Sequence, residues 1–190
     1  MPPVGTLAEL RTEALACTRC ALATGRTQVV FGVGDDTADL MFVGEGPGRD
    51  EDIAGEPFVG RSGKLLDKLM HQEIGLDRSQ CYIANVVKCR PPGNRDPLPD
   101  EIESCRPFLE TQLELISPRV VVTLGNFATR LLLDTTEGIR RLRGRAYPFR
   151  GGHLVPTYHP AAGLRGGAEV VAEMRADFVR AKLLLAGDRP

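Results

Sequence analysis

Residues that can do chemistry concentrate in one short segment, residues 40–63. The segment begins as an apolar run and then breaks at residues 44–48, a turn of three glycines, one glutamate and one proline. Four acids, the lone aromatic Phe58 and a second glycine turn at residues 60–63 follow. Glycine lets a ligand approach the backbone closely, and open α/β sheets bind ligands beyond the carboxyl ends of their strands. The segment therefore predicts a pocket with a flat aromatic wall and a carboxylate.

The cysteines form a second group with a suggestive spacing. Five cysteines are an odd number for a disulfide scaffold, so we expect a reducing compartment. Cys17 and Cys20 form a Cys-x-x-Cys pair, and 15 residues separate Cys89 from Cys105, while Cys81 stands apart. Four thiolates from two segments could hold zinc or an iron–sulfur cluster, and their spacing does not choose between the two.

Length and composition indicate an ordinary globular protein. The 190 residues suffice for one core, so we expect a single domain over residues 1–190. Apolar residues make up 42% of the chain and charged residues 26%, which excludes a disordered chain. The apolar runs are far too short for a membrane span, and the N-terminus has no signal-peptide pattern. These features predict a cytoplasmic protein that has no membrane partner.

The net charge of −1 hides an asymmetry between two parts of the chain. Residues 1–118 carry 12 basic and 19 acidic side chains, whereas residues 119–190 carry 12 and 6. The basic excess is densest in five arginines: Arg140, Arg141, Arg143, Arg145 and Arg150. A local basic stripe can bind phosphates, although the weak overall charge argues against tight non-specific binding of nucleic acid.

Short, continuous apolar runs are typical of parallel strands that are covered on both faces. Such runs span residues 39–43, 82–86, 119–124 and 154–158, and helical patterns span residues 7–16, 62–74, 99–117, 126–133 and 168–185. Their alternation predicts an α/β fold with three layers, α/β/α, around a central four-stranded parallel sheet. Reactive or polar residues follow each strand, so we expect one composite site at the carboxyl edge of the sheet.

Three segments together resemble a known family: GEGPGRDEDIAGEPFVGRSGKLLDKL, YIANVVKCRPPGNRDPLPDEIESCRPFL and VPTYHPAA. In order and spacing they are similar to family 4 uracil-DNA glycosylases, the iron–sulfur branch of that superfamily, from Cys17 to about Arg165. The resemblance implies the uracil-DNA glycosylase fold and a monofunctional hydrolase that acts on a flipped-out base. Such an enzyme cleaves the N-glycosidic bond of deoxyuridine, releases uracil and leaves an abasic site for base excision repair. Uracil-containing DNA is then the expected partner, and a monomer suffices.

The resemblance assigns the uracil pocket to particular residues. Asn85 would accept from uracil N3–H and donate to O4, whereas cytosine offers the reverse pattern at both positions. Phe58 would stack on the flipped base, and Gly46 would border it. His159 would stabilise negative charge on uracil O2 as the base departs, in the manner of an oxyanion hole. The sequence does not say whether His159 acts as the neutral or the protonated form.

Two carboxylates compete for the role of catalytic base. The better-known family 1 enzymes place a water-activating Asp where this chain has Gly46. Glu51 is the expected substitute, which would position water or stabilise the sugar cation, and Glu45 is the second candidate. Family 1 also excludes thymine with a Tyr where this chain has Gly48. Glu51 could crowd the C5 methyl group of thymine as well.

Contacts with DNA are expected from two segments. The turn that opens the second helix would seat a phosphate through Arg61, Ser62 and Gly63. The loop after His159 would enter the minor groove, with Leu164 filling the vacated space and Arg165 beside it. The stripe of arginines between residues 140 and 150 could steer the strand.

The resemblance also implies a [4Fe–4S] cluster that ties the N-terminal helix to the loop after the second strand. Its ligands would be the four spaced cysteines: Cys17, Cys20, Cys89 and Cys105. Cys81 falls outside this pattern and is expected to be a small buried residue. A related branch that crosslinks to abasic DNA carries a basic, histidine-bearing insertion, and the compact segment between Cys89 and Cys105 predicts turnover instead.

Two other functions remain open from the sequence. A non-catalytic iron–sulfur protein could bind uracil or abasic sites without cleavage. This alternative is compatible with the sequence because Gly46 replaces the water-activating Asp of family 1. A glycosylase for hypoxanthine or xanthine is the other alternative. Asn85 weighs against it as the main activity, because purines are larger and present a different edge.

Overall fold

The computed structural model describes residues 5–187, and a six-stranded sheet lies at their centre. The predicted domain, residues 1–190, extends beyond the described residues at both ends. The strands are β1 (Val33–Gly34), β2 (Leu40–Gly44), β3 (Tyr82–Asn85), β4 (Val120–Leu124), β5 (Tyr147–Phe149) and β6 (Gly152–Thr157). Their order across the sheet is β1-β3-β2-β4-β6-β5.

The inner strands confirm the predicted four-stranded parallel arrangement. Strands β3, β2, β4 and β6 pair in parallel with their neighbours. The edge strands β1 and β5 are antiparallel and were not predicted. They have two and three residues, too few to show a periodic pattern in the sequence.

Helices connect the strands and cover both faces of the sheet. They are α1 (Leu7–Leu15), α2 (Leu22–Gly25), α3 (Arg49–Ala54), α4 (Arg61–Leu69), α5 (Pro99–Ile116), α6 (Asn126–Leu133), α7 (Ile139–Leu142) and α8 (Pro160–Ala186). Helix α4 continues into a π-helical turn, Met70–Ile74, and Gly167, with φ of +70°, interrupts α8. Among residues 5–187, none of the helices combines the length and the apolar character that crossing a membrane would require.

Alternation along the strands divides the core into two layers. Leu40 and Phe42 of β2 pack with α4 and α8 on one face, while Met41 and Val43 pack with α1, α5 and α6 on the other. These four side chains are at most 1% exposed, as expected for parallel strands that helices cover on both faces. The three layers predicted from the sequence are confirmed.

The register of the parallel strands aligns their carboxyl ends. Gly44 at the end of β2 pairs with Asn85 at the end of β3. Leu124 at the end of β4 pairs with Thr157 at the end of β6. The residues that follow these strands therefore meet along one edge of the sheet, where ligands bind in open α/β folds.

Candidate active site

A cleft of about 740 Å³ lies at the carboxyl edge of the sheet. This volume is within the usual range for small-molecule sites. The cleft brings together residues that follow four different strands, and it is lined, among others, by Glu45, Gly46, Glu51, Phe58, Asn85 and His159. The expected composite site therefore exists as a cleft in the folded chain.

The side chain of Asn85 has a hydrogen-bond acceptor without a donor among the described residues of this cleft. The residue is 1% exposed, and its Oδ1 atom has no hydrogen-bond partner within the described part of the chain. Leaving a buried polar atom unpaired costs about 1–3 kcal/mol, so such atoms are rare in folded proteins. The Oδ1 atom is the one that the sequence assigns to uracil N3–H.

Phe58 forms one wall of the cleft in an unusual backbone conformation. Its φ angle is +54°, a region in which bulky residues are genuine outliers. Its ring centroid lies 5.6 Å from that of His159, with the two planes tilted by 34°. A Cβ atom on Gly44 would lie 2.5 Å from both Phe58 Cζ and Asn85 Oδ1. Only glycine at position 44 therefore lets the aromatic wall and the amide meet.

Arg78 holds the strained backbone of Phe58, and sequence analysis missed it. Its Nη1 donates to the Phe58 carbonyl at 2.8 Å and to Asp67 Oδ1 at 3.0 Å. Its Nη2 donates to the Pro57 carbonyl. Strained conformations persist where the surroundings over-determine them, and these bonds supply that constraint. Arg78 lies 20 positions after Phe58 in the chain, so no local pattern could have indicated the contact.

His159 caps helix α8 and presents its other nitrogen to the cleft. Its Nδ1 accepts from the backbone N–H of Ala161 at 3.1 Å, so the proton of a neutral ring resides on Nε2. Burial, reinforced by the positive charge of Arg165 and opposed by Glu51, lowers the pKa of His159 to about 4. This pKa favours the neutral ring at physiological pH, and the neutral ring offers an N–H donor at Nε2.

Glu51 is engaged by the backbone of its own loop. Its Oε1 accepts from the N–H groups of Val59 and Gly60 at 3.0 and 3.1 Å. Its Oε2 accepts from the N–H of Gly48 at 3.1 Å. The carboxylate thus ties the two glycine turns together and places a fixed negative charge in the cleft. Its acceptor capacity is largely used, which leaves little for binding a water molecule.

Glu45 is in a different situation. No hydrogen bond to its carboxyl group is seen among residues 5–187. Burial, with a smaller contribution from the negative charge of Asp96, raises its pKa to about 7. A carboxyl group that titrates near neutrality in a cleft is suited to accept a proton, because general bases work best near their operating pH. The geometry thus favours the second-ranked carboxylate over the first for handling water.

The absence of the family 1 Asp at Gly46 has a steric explanation. A Cβ atom at this position would lie 2.6 Å from Cγ2 of Val87, closer than real Cβ contacts. Val87 is fully buried and β-branched, so it has little freedom to move aside. No side chain fits at Gly46 without rearrangement.

The predicted DNA contacts differ in their exposure. Arg61 and Arg165 are exposed and line the cleft, and Ser62 also lines it. Leu164 is 43% exposed on the first turns of α8, where a side chain could enter a duplex. Gly63 is buried, and a Cβ atom there would lie only 1.7 Å from the Phe58 carbonyl oxygen. Gly63 therefore packs beneath the aromatic wall.

The basic stripe between residues 140 and 150 is not a continuous surface. Arg143 donates from Nε to the fully buried Asp177 at 2.9 Å and also pairs with Glu173. Arg150 pairs with Glu110 and Glu114 of α5. Arg143 is half-buried, whereas the other four arginines are exposed: Arg140, Arg141, Arg145 and the paired Arg150. The charges of Arg143 and Arg150 are therefore the two that acids of other elements offset. The sequence could not foresee that acids distant in the chain neutralise these two.

The four spaced cysteines line one small cavity beside α1 and α5. Cys89 and Cys105 are buried, and Cys17 and Cys20 are half-buried. The backbone N–H of Lys88 donates to Cys105 Sγ at 3.2 Å, and Arg26 Nη1 donates to Cys89 Sγ at 3.4 Å. Within residues 5–187, no three potential ligands are close enough to hold a bare metal ion.

The cavity nevertheless suits a larger group. Four thiols that line one apolar cavity, two of them with N–H donors, match what a bound iron–sulfur cluster requires of its protein. Cys81 lies outside the cavity, as expected. It is fully buried with Sγ 3.6 Å from Met70 Sδ, and burial raises the pKa of its thiol to about 12.

Comparison with known proteins gives a consistent result. The sequence model of the Uracil DNA glycosylase superfamily matches residues 31–181. A type-4 uracil-DNA glycosylase of Sulfurisphaera tokodaii is 43% identical over 167 residues, which cover 84% of this chain and 76% of the relative. A type-4 uracil-DNA glycosylase of Archaeoglobus fulgidus is 42% identical over 193 residues, with coverage of 97% and 96%.

A solved structure shares the fold. It is the solution NMR structure of a candidate uracil DNA glycosylase of Methanosarcina acetivorans, with a TM-score of 0.50. The two chains are 15% identical, and the match covers 80% of this chain and 95% of the other. At that identity the likeness concerns the fold alone.

Proposed function

Because this chain belongs to the uracil DNA glycosylase superfamily, within its type-4 branch, we propose that it removes uracil from DNA. The reaction is hydrolysis of the N-glycosidic bond of a flipped-out deoxyuridine, which releases uracil and leaves an abasic site for repair. The observation that carries the proposal is the buried, unpartnered Oδ1 of Asn85 beside the Phe58 ring. All the proposed site residues belong to one chain, so a monomer suffices.

Recognition of the base follows from the groups that line the cleft. Uracil stacks on Phe58 and donates its N3–H to Asn85 Oδ1, while the Asn85 amide N–H donates to O4. Cytosine presents an acceptor at N3 and a donor at C4, so both contacts become unfavourable. Each unpaired buried group costs about 1–3 kcal/mol, which excludes cytosine. Gly46 contributes backbone only and borders the base.

Bond cleavage leaves the electron pair of the C1′–N1 bond on uracil. The neutral His159 donates from Nε2 to uracil O2, where the negative charge develops. A fixed donor in a water-poor site stabilises such charge by several kcal/mol, since it needs no reorganisation. The fixed charge of Glu51 stabilises the positive sugar, and this carboxylate also crowds the C5 position. Water adds to C1′ and gives its proton to ionised Glu45.

DNA would be held by the rim of the cleft. Arg61 and Ser62 open helix α4, where backbone N–H groups and a basic side chain suit a phosphate. Leu164 and Arg165 lie on the first turns of α8, beside the base pocket, and would fill the space of the flipped nucleotide. Gly63 contributes to this interface through packing of the turn.

We further propose that the thiol cavity holds a [4Fe–4S] cluster. Cys17, Cys20, Cys89 and Cys105 would be its ligands, and the N–H donors of Lys88 and Arg26 would support their sulfurs. When bound, the cluster supplies four metal–thiolate bonds that crosslink the N-terminal segment to β3 and α5. This chain's own residues perform every step of the reaction in the cleft, so the cluster's role is structural.

The test uses an oligonucleotide with a single deoxyuridine, followed by alkaline cleavage of abasic sites. Wild type, Asn85→Ala and His159→Ala are compared on uracil, thymine, cytosine and hypoxanthine substrates. We expect cleavage at uracil alone, lost in both variants. Uracil-specific binding without base release would instead establish the non-catalytic reader, and preferred cleavage at hypoxanthine would establish the other alternative.

A further inference from the structure

A buried lysine lies between the thiol cavity and the uracil pocket. Lys88 is 1% exposed and directly precedes Cys89. Its Nζ donates to the backbone carbonyl of Asn85 at 2.9 Å and to Gln112 Oε1 at 2.5 Å. Both of these acceptors are neutral. A buried ammonium group is costly unless negative charge compensates it, so the surroundings of Lys88 call for such a charge.

The thiol cavity can supply that charge. Lys88 lines the cavity together with the cysteines, and its backbone N–H donates to Cys105 Sγ. Four thiolates around a [4Fe–4S] cluster leave the site with a net negative charge. The ammonium would then lie between a negative group on one side and the Asn85 carbonyl on the other.

The Asn85 carbonyl needs such a donor. The pairing of β1 with β3 stops at Ile83, so it does not reach the end of β3. Gln112 keeps the ammonium in place, because its Nε2 donates to the Phe31 carbonyl at 2.9 Å and to the Tyr82 hydroxyl at 3.2 Å. The chain of bonds from Gln112 through Lys88 to Asn85 therefore fixes the backbone from which the uracil-reading amide projects.

We propose that Lys88 is a positioning residue shared by two sites, whose ammonium is held by the charge of the loaded thiol cavity and in turn holds Asn85. The inference deepens the proposed function and rests on it. It makes uracil recognition depend on a side chain that touches neither DNA nor the base.

Arg26 provides a matched control. It is also a cation at the cavity, and it donates to the Cys17 carbonyl at 2.7 Å and to Cys89 Sγ at 3.4 Å. Neither contact involves Asn85 or the two residues that hold it, Lys88 and Gln112. Loss of Arg26 should therefore change the cluster and leave the uracil pocket in place.

The experiment compares iron-loaded wild type, Lys88→Met and Arg26→Met with two readouts. The first is the reduction potential of the cluster by protein-film voltammetry. The second is the ratio of affinities for two oligonucleotides, one with a non-cleavable 2′-fluoro analogue of deoxyuridine and one with an abasic analogue. This ratio isolates binding of the base from binding of the DNA backbone.

We expect both cation variants to shift the potential to more negative values, because each loses a charge that favours the reduced cluster. Lys88→Met should also lower the affinity ratio by about tenfold, which corresponds to the loss of one well-placed hydrogen bond. Arg26→Met should leave the ratio within about twofold of wild type.

An affinity ratio that survives Lys88→Met in cluster-loaded protein would overturn the inference alone, and so would an unchanged potential. A wild type without preference for the uracil analogue would overturn the uracil site itself, and the inference with it. If Lys88→Met does not fold, Gln112→Met replaces it. That variant keeps the charge and removes its anchor, so the ratio should fall while the potential stays, and an unchanged ratio would refute the link.

Discussion

At the scale of single residues, the site contains a buried acceptor without a protein partner within residues 5–187, and such an atom lowers stability. Asn85 Oδ1 is buried without a partner among the described residues, whereas Gln112, equally buried, uses its amide in three bonds. The two buried amides should therefore respond in opposite ways to truncation, because one serves the ligand and the other serves the fold.

Asn85→Ala should reduce kcat/KM for uracil excision by about 100-fold or more, since two base contacts worth about 1–3 kcal/mol each are lost. Its free energy of unfolding should stay within about 1 kcal/mol of wild type, because removal of an unpaired polar atom offsets the lost packing. Gln112→Ala should be clearly destabilised. Denaturant unfolding and single-turnover kinetics measure both quantities, and a strongly destabilised Asn85→Ala would contradict a substrate-binding role.

The pKa values in the cleft predict a pH dependence with a defined sign. Glu45 must be ionised to accept a proton, and its pKa is raised to about 7. The rate should therefore rise about tenfold per pH unit below 7 and level off above it. His159, with a pKa of about 4, stays neutral and adds no transition between pH 5 and pH 9.

Single-turnover excision measured across that pH range, with Glu45→Gln and Asp96→Asn beside wild type, checks this assignment. Glu45→Gln should lose the rising limb together with most of the rate. Asp96→Asn should move the limb to lower pH, because Asp96 helps to raise the pKa of Glu45. If the excision rate of Glu45→Gln still rises with pH below 7, Glu45 is not the base, and Glu51 becomes the candidate.

At this scale, sequence motifs identified the candidate site residues. They did not identify residues whose role depends on tertiary contacts. Asn85, Phe58 and His159, which motifs in the sequence single out, all line the cleft. Arg78 and Lys88 gave no signal, since their partners depend on how the helices pack. The steric conflict of Gly46 with Val87 is likewise visible only in the folded chain.

At the scale of elements, the turn that carries Phe58 is held from outside. Arg78→Lys keeps the charge but cannot bind the Pro57 and Phe58 carbonyls and Asp67 at once, because only the guanidinium has that fork. The ring should then sample positions away from the base. We expect kcat/KM to fall on the order of tenfold and inhibition by free uracil to weaken in parallel.

Arg106→Lys in α5 is the matched control for this prediction, since the acids that Arg106 pairs with, Glu103 and Glu110, lie on its own helix. It should leave both quantities unchanged. Equal inhibition by uracil in wild type and Arg78→Lys would show that the bonds to Arg78 do not position Phe58.

The elements themselves were predictable where they were long. The parallel strands and helix α6 were placed within one or two residues of their observed bounds. The short helices α2, α3 and α7 escaped, because four to six residues do not establish a helical period. Helix α8 begins at Pro160, eight residues before the predicted start at residue 168. The sequence analysis assigned His159 a catalytic role and did not recognise it as the N-cap of this helix.

At the scale of the whole molecule, the helices on the two faces of the sheet are held in different ways. The long helix α8 packs with α4 on the first face. The other face is covered partly by α1, a helix of nine residues that is too short to be stable alone. Its buried contacts are few, chiefly Leu10 and Ala14. Crosslinking by metal–thiolate bonds is therefore what should hold the N-terminal segment in place.

Cys17→Ala should consequently lose iron and expose the N-terminal segment without unfolding the rest. Hydrogen exchange should accelerate in α1, α2 and the loop after Cys89, while α4 and α8 stay protected, because their apolar contacts do not involve the four cysteines that line the cavity. Cys81→Ala is the matched control, since Cys81 is buried on the other face and outside the cavity; it should retain its iron and the exchange pattern of wild type. Full iron content in Cys17→Ala, or uniform loss of protection across both faces, would contradict this division of the molecule.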